Sequence, residues 1–237
     1  MNLKLVLFVL ILTELIILGY SINQFKATGN AVYERVQVNL TRVIDGDTID
    51  TELGKIRLLG INTPEKKQPF YQEAKDFLVQ YTGKQIELEN HGKDKYDRTL
   101  GYLYYSNTLM NSLILEKGLA TLYVYEKDSN YNKLKQSEQT AKEKELGLWK
   151  KSNLSGCIEL VKLDYVEKAR CNNQEILTLN NKCPKIKTIL KDDANHIENL
   201  EIPAGISSYN FSCVFNDAGD SLYIRDESGL LLFYRYP

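Results

Sequence analysis

The chain has 237 residues, and its 30 Lys and Arg nearly cancel 31 Asp and Glu, for a formal net charge of −1. That balance excludes a protein that holds nucleic acid by bulk basic charge, so any affinity for a polyanion has to be local. The length suits one large or two small domains, with ample sequence for a core.

The first segment stands apart from the rest. Residues 3–22 are mostly apolar, with Lys4 near the start and Thr13-Glu14 interrupting the run. The length suits either a membrane-spanning helix or a long export signal. Glu14 is costly in the middle of a span, and Ala27, Gly29 and Ala31 offer small residues for cleavage. Residues 1–32 are therefore expected to be a signal peptide or membrane anchor, placing the remainder outside the cytoplasm, secreted or anchored facing outward.

Residues 37–41 alternate apolar and polar and predict a first strand. Next comes VIDGDTIDTELGKIRLLGINTPE, over residues 43–65. Ile44 and Ile49 bracket Asp45-Gly46-Asp47-Thr48, which puts two carboxylates on a turn or bulge at Gly46. Ile56, Leu58 and Leu59 predict a strand interrupted by Arg57. Pro64 ends the regular structure and leaves Glu65 on a loop. Two Asp, an Arg and a Glu delivered to the ends of one hairpin suit hydrolysis of a phosphodiester. Oxygen ligands hold Ca²⁺, cationic groups neutralise a phosphoryl group, and a carboxylate handles the proton of an attacking water. Taken singly, Asp45 is also ordinary turn chemistry before a glycine, and an Arg57 facing inward needs an anionic partner.

Further along, apolar residues at helical spacing predict a helix over 68–81, ended by Gly83. Strands are expected over 85–89 and 100–104, a short helix over 107–117, and a polar helix over 131–146. The inner side of that last helix is read as Leu134, Ser137, Ala141 and Leu146, with Trp149 capping the core. DKYDR at 94–98 supplies a second arginine, Arg98, in a run that by itself reads as a solvated loop. Tyr96, Tyr123 and Tyr125 are candidates for stacking on a base, although sixteen tyrosines make a core or surface role equally natural. His91 and His196 have neither metal nor catalytic spacing.

The ordered motifs VIDGDTI, IRLLGINTPE, DKYDRTLGYLY, MNSLILEKGLA and KLKQSEQTAKEKELGLW, spread over about half the chain, resemble the staphylococcal nuclease (thermonuclease) family. The resemblance implies an α+β fold, an OB-type five-stranded β-barrel with three helices, here over 33–153. By position it implies Ca²⁺ held by Asp47, by Asn62 and by the backbone carbonyl of Thr63, with Asp45 in an outer shell. Arg57 and Arg98 then look like the phosphate-binding arginines and Glu65 like the general base. The best-known members carry an aspartate where this chain has Asn62. One negative charge is missing from the ligand set, which implies weaker metal binding. The implied substrates are DNA and RNA, single-stranded or loosened regions above all, cut to leave 3′-phosphate ends. Asn62 also favours a second reading, a nucleic-acid- or surface-binding protein on the same fold with weak or no catalysis. Arg57, Glu65 and Arg98 together argue against it.

Beyond the polar stretch 150–153 the composition changes. Cys157, Cys171, Cys183 and Cys213 all lie in the last third. An even number in an exported module suggests two disulfides, with three pairings open and zinc the alternative. Short strands over 158–165, 175–179, 186–190, 222–225 and 230–234, separated by turn residues, predict a small β-sandwich over 154–237. EILTLNN, IPAG and FNDAGDSLYIRDESGLLL resemble the lamin-tail immunoglobulin-like domain, which implies a binding or tethering module with a possible cell-surface partner.

Overall fold

The computed structural model describes residues 13–14, 33–124, 127–165, 175–193, 196–212, 214–215 and 220–236. Almost all of the apolar N-terminal run lies outside them, as do Tyr125, Cys171 and Cys213. No helix among the described residues is long and apolar enough to cross a membrane. Residues 35–237 form one compact unit, distinct from 1–34.

Strand β1 (Arg35–Val43) buries Val38 and Leu40 by simple alternation. A register shift against β2 (Thr48–Thr51), between Leu40 and Arg42, then turns Val43 rather than Arg42 inward. β3 (Gly54–Leu58) pairs with β2, and the two-residue β4 (Ile61–Asn62) follows it in the chain. β5 (Gln85–Lys93) pairs with β1, and β6 (Thr99–Tyr105) with β5. A parallel pairing of β3 with β6 closes the circle, giving a five-stranded barrel without free edges. Its interior is filled by Val38, Leu40, Ile49, Ile56, Leu88 and Leu103 together with residues from the helices.

Three helices cover the barrel. α1 (Tyr71–Val79) buries Ala74, Phe77 and Leu78, and α2 (Met110–Glu116), which follows the short β7 (Thr108–Leu109), buries Met110, Ile114 and Leu115. α3 (Tyr131–Glu143) buries Leu134, Ser137, Glu138 and Ala141. Leu146, expected on its inner side, is outside and exposed, because Glu145 at φ 52° turns the chain out of the helix. Trp149 does not cap the barrel core either. It ends a 3₁₀ turn (Gly147–Trp149) and is buried with Ala141 and Tyr223 in a separate cluster.

The C-terminal part has two antiparallel sheets. One has the order β13-β10-β9 and the other β12-β11-β14-β15, over β9 (Ile158–Asp164), β10 (Glu175–Asn181), β11 (Ile186–Lys191), β12 (Ile197–Ile202), β13 (Gly205–Phe211), β14 (Asp220–Arg225) and β15 (Leu230–Tyr236). Leu177, Leu179, Leu190, Leu222 and Ile224 pack between them. Cys157 and Cys183 lie within disulfide distance, Cα–Cα 5.4 Å. The sequence pattern does not predict β12 and β13. Each is the edge strand of its sheet, and its side chains face mostly outward. An apolar alternation is therefore missing at both.

Barrel and sandwich are fastened to one another. The stretch expected as a boundary is bonded to the sandwich: Leu230 N–H donates to the Lys150 carbonyl at 2.8 Å and Ser152 N–H to the Leu230 carbonyl at 3.0 Å. Trp149 packs against Phe233 with ring centroids 5.1 Å apart, and the Arg225 guanidinium donates to the Leu148 carbonyl. Buried Glu138 is the hub. Its carboxylate accepts from the Leu122 N–H at 2.7 Å, Lys142 Nζ at 2.7 Å and Arg235 Nη1 at 2.9 Å, tying α3 to β8 (Thr121–Leu122) and to β15. Replacing Glu138 by Ala takes the acceptor from the Leu122 N–H and the carboxylate from Lys142, and leaves Arg235 with Asp193 as its anionic partner. Urea unfolding followed at Trp149 is expected to show a loss of about 3 kcal/mol.

Candidate active site

The loop between β1 and β2 presents the two aspartates. Ile44 and Asp45 N–H groups both donate to the Thr48 carbonyl, at 3.0 and 3.3 Å, and the Asp45 side chain accepts from the Asp47 N–H at 3.1 Å. Gly46 is needed here for space rather than for an unusual φ. A Cβ at that position would lie 2.7 Å from the Ala74 Cβ and 2.8 Å from Thr63 Oγ1, so α1 and the loop after β4 press directly on its backbone.

Asp47 is 6% exposed and fully engaged. Its Oδ2 accepts from the Thr63 N–H at 2.8 Å and the Thr63 hydroxyl at 2.9 Å. Its Oδ1 accepts from the Thr48 hydroxyl at 3.2 Å and faces Arg57 Nε at 3.2 Å. Arg57, largely buried on β3, donates in addition to the Leu58 carbonyl at 2.6 Å and to Asn62 Oδ1 at 3.2 Å. The Asp47 carboxylate and the Asn62 carboxamide oxygen thus converge on one guanidinium. Asn62 is the last residue of β4, which pairs with β8 and sets it opposite Thr121.

Arg98 follows a turn built on Asp94, whose carboxylate accepts from Arg98 Nε at 2.8 Å and from the Tyr96 and Arg98 N–H groups at 2.9 and 3.0 Å. The Arg98 guanidinium and Lys95 Nζ lie over the Tyr96 ring, 5.4 and 5.1 Å from its centre, and Tyr96 is 67% exposed. Glu65 is exposed on its loop, its N–H donating to Gln68 Oε1 at 3.0 Å. Asp45, Asp47, Arg57, Asn62, Glu65, Tyr96, Arg98 and Tyr123 all line one open cleft of about 620 Å³. Thr63 is not among the lining residues; its N–H and hydroxyl hold Asp47. Tyr125 lies outside the described residues.

The two aspartates of the cleft act on one another's charge. Burial, and then the negative charge of Asp47, push the Asp45 carboxyl up to about 6. Two carboxylates confined together, with an amide oxygen beside them, form a hard oxygen set of the kind Ca²⁺ takes. The described residues contain no cluster of three or more His, Cys, Asp or Glu that could hold a metal ion.

Known proteins share this arrangement of sequence. The family described as "Staphylococcal nuclease homologue" matches residues 55–151. A thermonuclease of Staphylococcus intermedius is 33% identical over 124 residues, which are 46% of this chain and 74% of that protein. A thermonuclease of Staphylococcus hyicus is 30% identical over 139 residues, 53% of this chain and 82% of that protein. The chain belongs to the staphylococcal nuclease family. It is a nuclease, a hydrolase of phosphodiester bonds, and its closed five-stranded barrel with three helices is the family's OB-type fold. An SPbeta prophage-derived endonuclease of Bacillus subtilis is also similar, 34% identical over 148 residues, 53% of this chain and 50% of that protein.

In this staphylococcal nuclease homologue the matched segment starts after Asp45 and Asp47 and ends before the sandwich, yet both flanks reach the cleft. The sandwich does so through Asp193, whose main-chain carbonyl accepts from Asn62 Nδ2 at 2.9 Å. Sequence reasoning misses this residue, because a backbone acceptor leaves no mark in side-chain patterns. It also misses Asn111, fully buried, whose side chain accepts from the Leu103 N–H at 3.0 Å and donates to the Leu59 carbonyl at 2.8 Å, fixing the strand end beneath the cleft.

Proposed function

We propose that this protein is an exported, Ca²⁺-dependent nuclease that cuts DNA and RNA and leaves 3′-phosphate ends. The observation that carries the reading is the convergence of Asp47, Arg57, Asn62, Glu65 and Arg98 on one open cleft. Arg57 and Arg98 bind the non-bridging oxygens of a phosphodiester and take up charge as it builds there. Glu65, exposed at the rim, orients a water and accepts its proton as the oxygen attacks phosphorus. The bond from phosphorus to the 5′-oxygen breaks, giving a 3′-phosphate and a 5′-hydroxyl. Tyr96 and Tyr123 offer stacking faces, so unpaired strands fit best. Asp47, Asn62 and the Thr63 backbone carbonyl, with Asp45 behind them, are the residues that would hold Ca²⁺. When bound, the ion adds positive charge beside the scissile phosphate.

The N-terminal apolar run is proposed to direct export or to anchor the protein facing outward, and the C-terminal sandwich to be a lamin-tail-like module. Cleavage assays on single-stranded DNA and on RNA test the catalytic reading. Millimolar Ca²⁺ is expected to support cleavage of both, and excess chelator to reduce it at least about hundredfold, in line with loss of one transition-state contact. Full activity in chelator would reject the metal assignment. A folded protein that binds the DNA without cutting it would support the non-catalytic reading that Asn62 favours.

A further inference from the structure

Asn62 uses both ends of its amide in opposite directions. Its oxygen accepts from Arg57 Nη2 at 3.2 Å and its nitrogen donates to the Asp193 carbonyl at 2.9 Å. The orientation follows from chemistry, since a guanidinium can only donate and a carbonyl can only accept. Asp193 follows β11, and its own side chain and N–H are held by β14. Its carboxylate accepts from the Tyr223 hydroxyl at 2.7 Å and the Ser221 hydroxyl at 2.8 Å, and its N–H donates to Asp220 Oδ1 at 2.9 Å. Arg235 Nη2 lies 3.6 Å from the same carboxylate, while Arg235 Nη1 bonds Glu138 on α3. A rigid corner of the sandwich therefore reaches across to the barrel and grips a residue of the cleft.

We propose that the C-terminal sandwich is a working part of the nuclease site, with Asp193 as a positioning residue that aims the Asn62 carboxamide oxygen at Arg57 and the Asp47 carboxylate. Position 62 then requires an amide. A carboxylate there would set two acceptors face to face, an oxygen of residue 62 against the Asp193 carbonyl, and the junction would lose a buried hydrogen bond. The proposal rests on the catalytic reading above only for its effect on turnover. The link between Asn62 and the sandwich stands on geometry alone.

Full-length Asn62→Asp, Asp193→Ala and Asp193→Asn test it. The single Trp, Trp149, is buried against Tyr223 and Phe233 at the same junction, so its fluorescence during urea titration reports whether the sandwich is docked. Asn62→Asp is nearly isosteric, and it is expected to move the Trp149 transition to lower urea. It should also reduce kcat on a single-stranded oligonucleotide about tenfold or more, despite the added charge near the cation. Asp193→Ala keeps the main-chain carbonyl but frees the loop. It should lower kcat similarly while KM changes less than about threefold, the pattern of a misaimed group rather than lost binding. The Asn62 side-chain amide signals in ¹⁵N NMR should lose their protection in that variant. Asp193→Asn keeps an acceptor for the Tyr223 hydroxyl and loses the one for the Ser221 hydroxyl and the charge facing Arg235, and should restore both properties in part. Wild-type kcat and unchanged Asn62 amide signals in Asp193→Ala would overturn the proposal, as would an Asn62→Asp protein with wild-type turnover and a wild-type Trp149 transition. Should the wild type prove inactive, the catalytic reading fails. The Trp149 transition of Asn62→Asp would still decide the coupling.

Discussion

Replacing Glu65 by Gln is expected to lower kcat on single-stranded DNA by about 10² to 10⁴, the range that general acid–base groups contribute. The substitution keeps the size and one acceptor oxygen, and removes the negative charge and the ability to take a proton. Glu65 is exposed on a loop after Pro64, where its charge acts on Lys191, and the bond from its N–H to Gln68 is made by the backbone and survives the change. The thermal transition should stay within about 2 °C of wild type while turnover collapses. DNA binding should survive, because Arg57, Arg98 and the exposed Tyr96 remain. A Glu65→Gln protein with near-normal turnover would mean that the water is activated elsewhere in the cleft.

Arg57→Lys is the second large effect, expected to reduce kcat by about 10² to 10³. Arg57 does three things at once from a largely buried position: it faces Asp47 at 3.2 Å, donates to Asn62 at 3.2 Å and donates to the Leu58 carbonyl at 2.6 Å. A lysine retains the charge but presents a single point, which cannot match the planar fork or the bidentate recognition of a phosphate. The remaining charge next to Asp45 and Asp47 should keep the protein folded, so circular dichroism separates this outcome from unfolding. Arg57→Met should be equally inactive and less stable, since it leaves the buried Asp47 carboxylate without its cation.

Much of the barrel is legible in the sequence, and for identifiable reasons. Strand β1 alternates because one face is packed, and the Asp45-Gly46-Asp47 turn and the Pro64 break are local chemistry. The candidate residues that share the cleft are legible because ionisable side chains stand out in an apolar run, as Arg57 does. Gly46 is legible as a turn residue but not for its true reason, since the neighbours that demand a glycine, Ala74 and Thr63, come from elsewhere in the chain. Long-range relations are the main loss. Asp193 lies 131 positions from Asn62 and touches it through a main-chain oxygen, and edge strands β12 and β13 carry no apolar alternation to betray them. Trp149 reads as a cap on the barrel because its partner Phe233 is distant in the chain and belongs to a sheet whose docking no local pattern encodes.

The central claim is that the cleft of Asp47, Arg57, Glu65 and Arg98 cuts phosphodiesters on the 5′-oxygen side. End-group analysis of an end-labelled single-stranded oligonucleotide, digested in Ca²⁺ by wild type and by Glu65→Gln in parallel, tests it most directly. The expected result is new 3′-phosphate and 5′-hydroxyl ends from the wild type and almost none from the variant. New 5′-phosphate ends, or equal digestion by the two proteins, would contradict it.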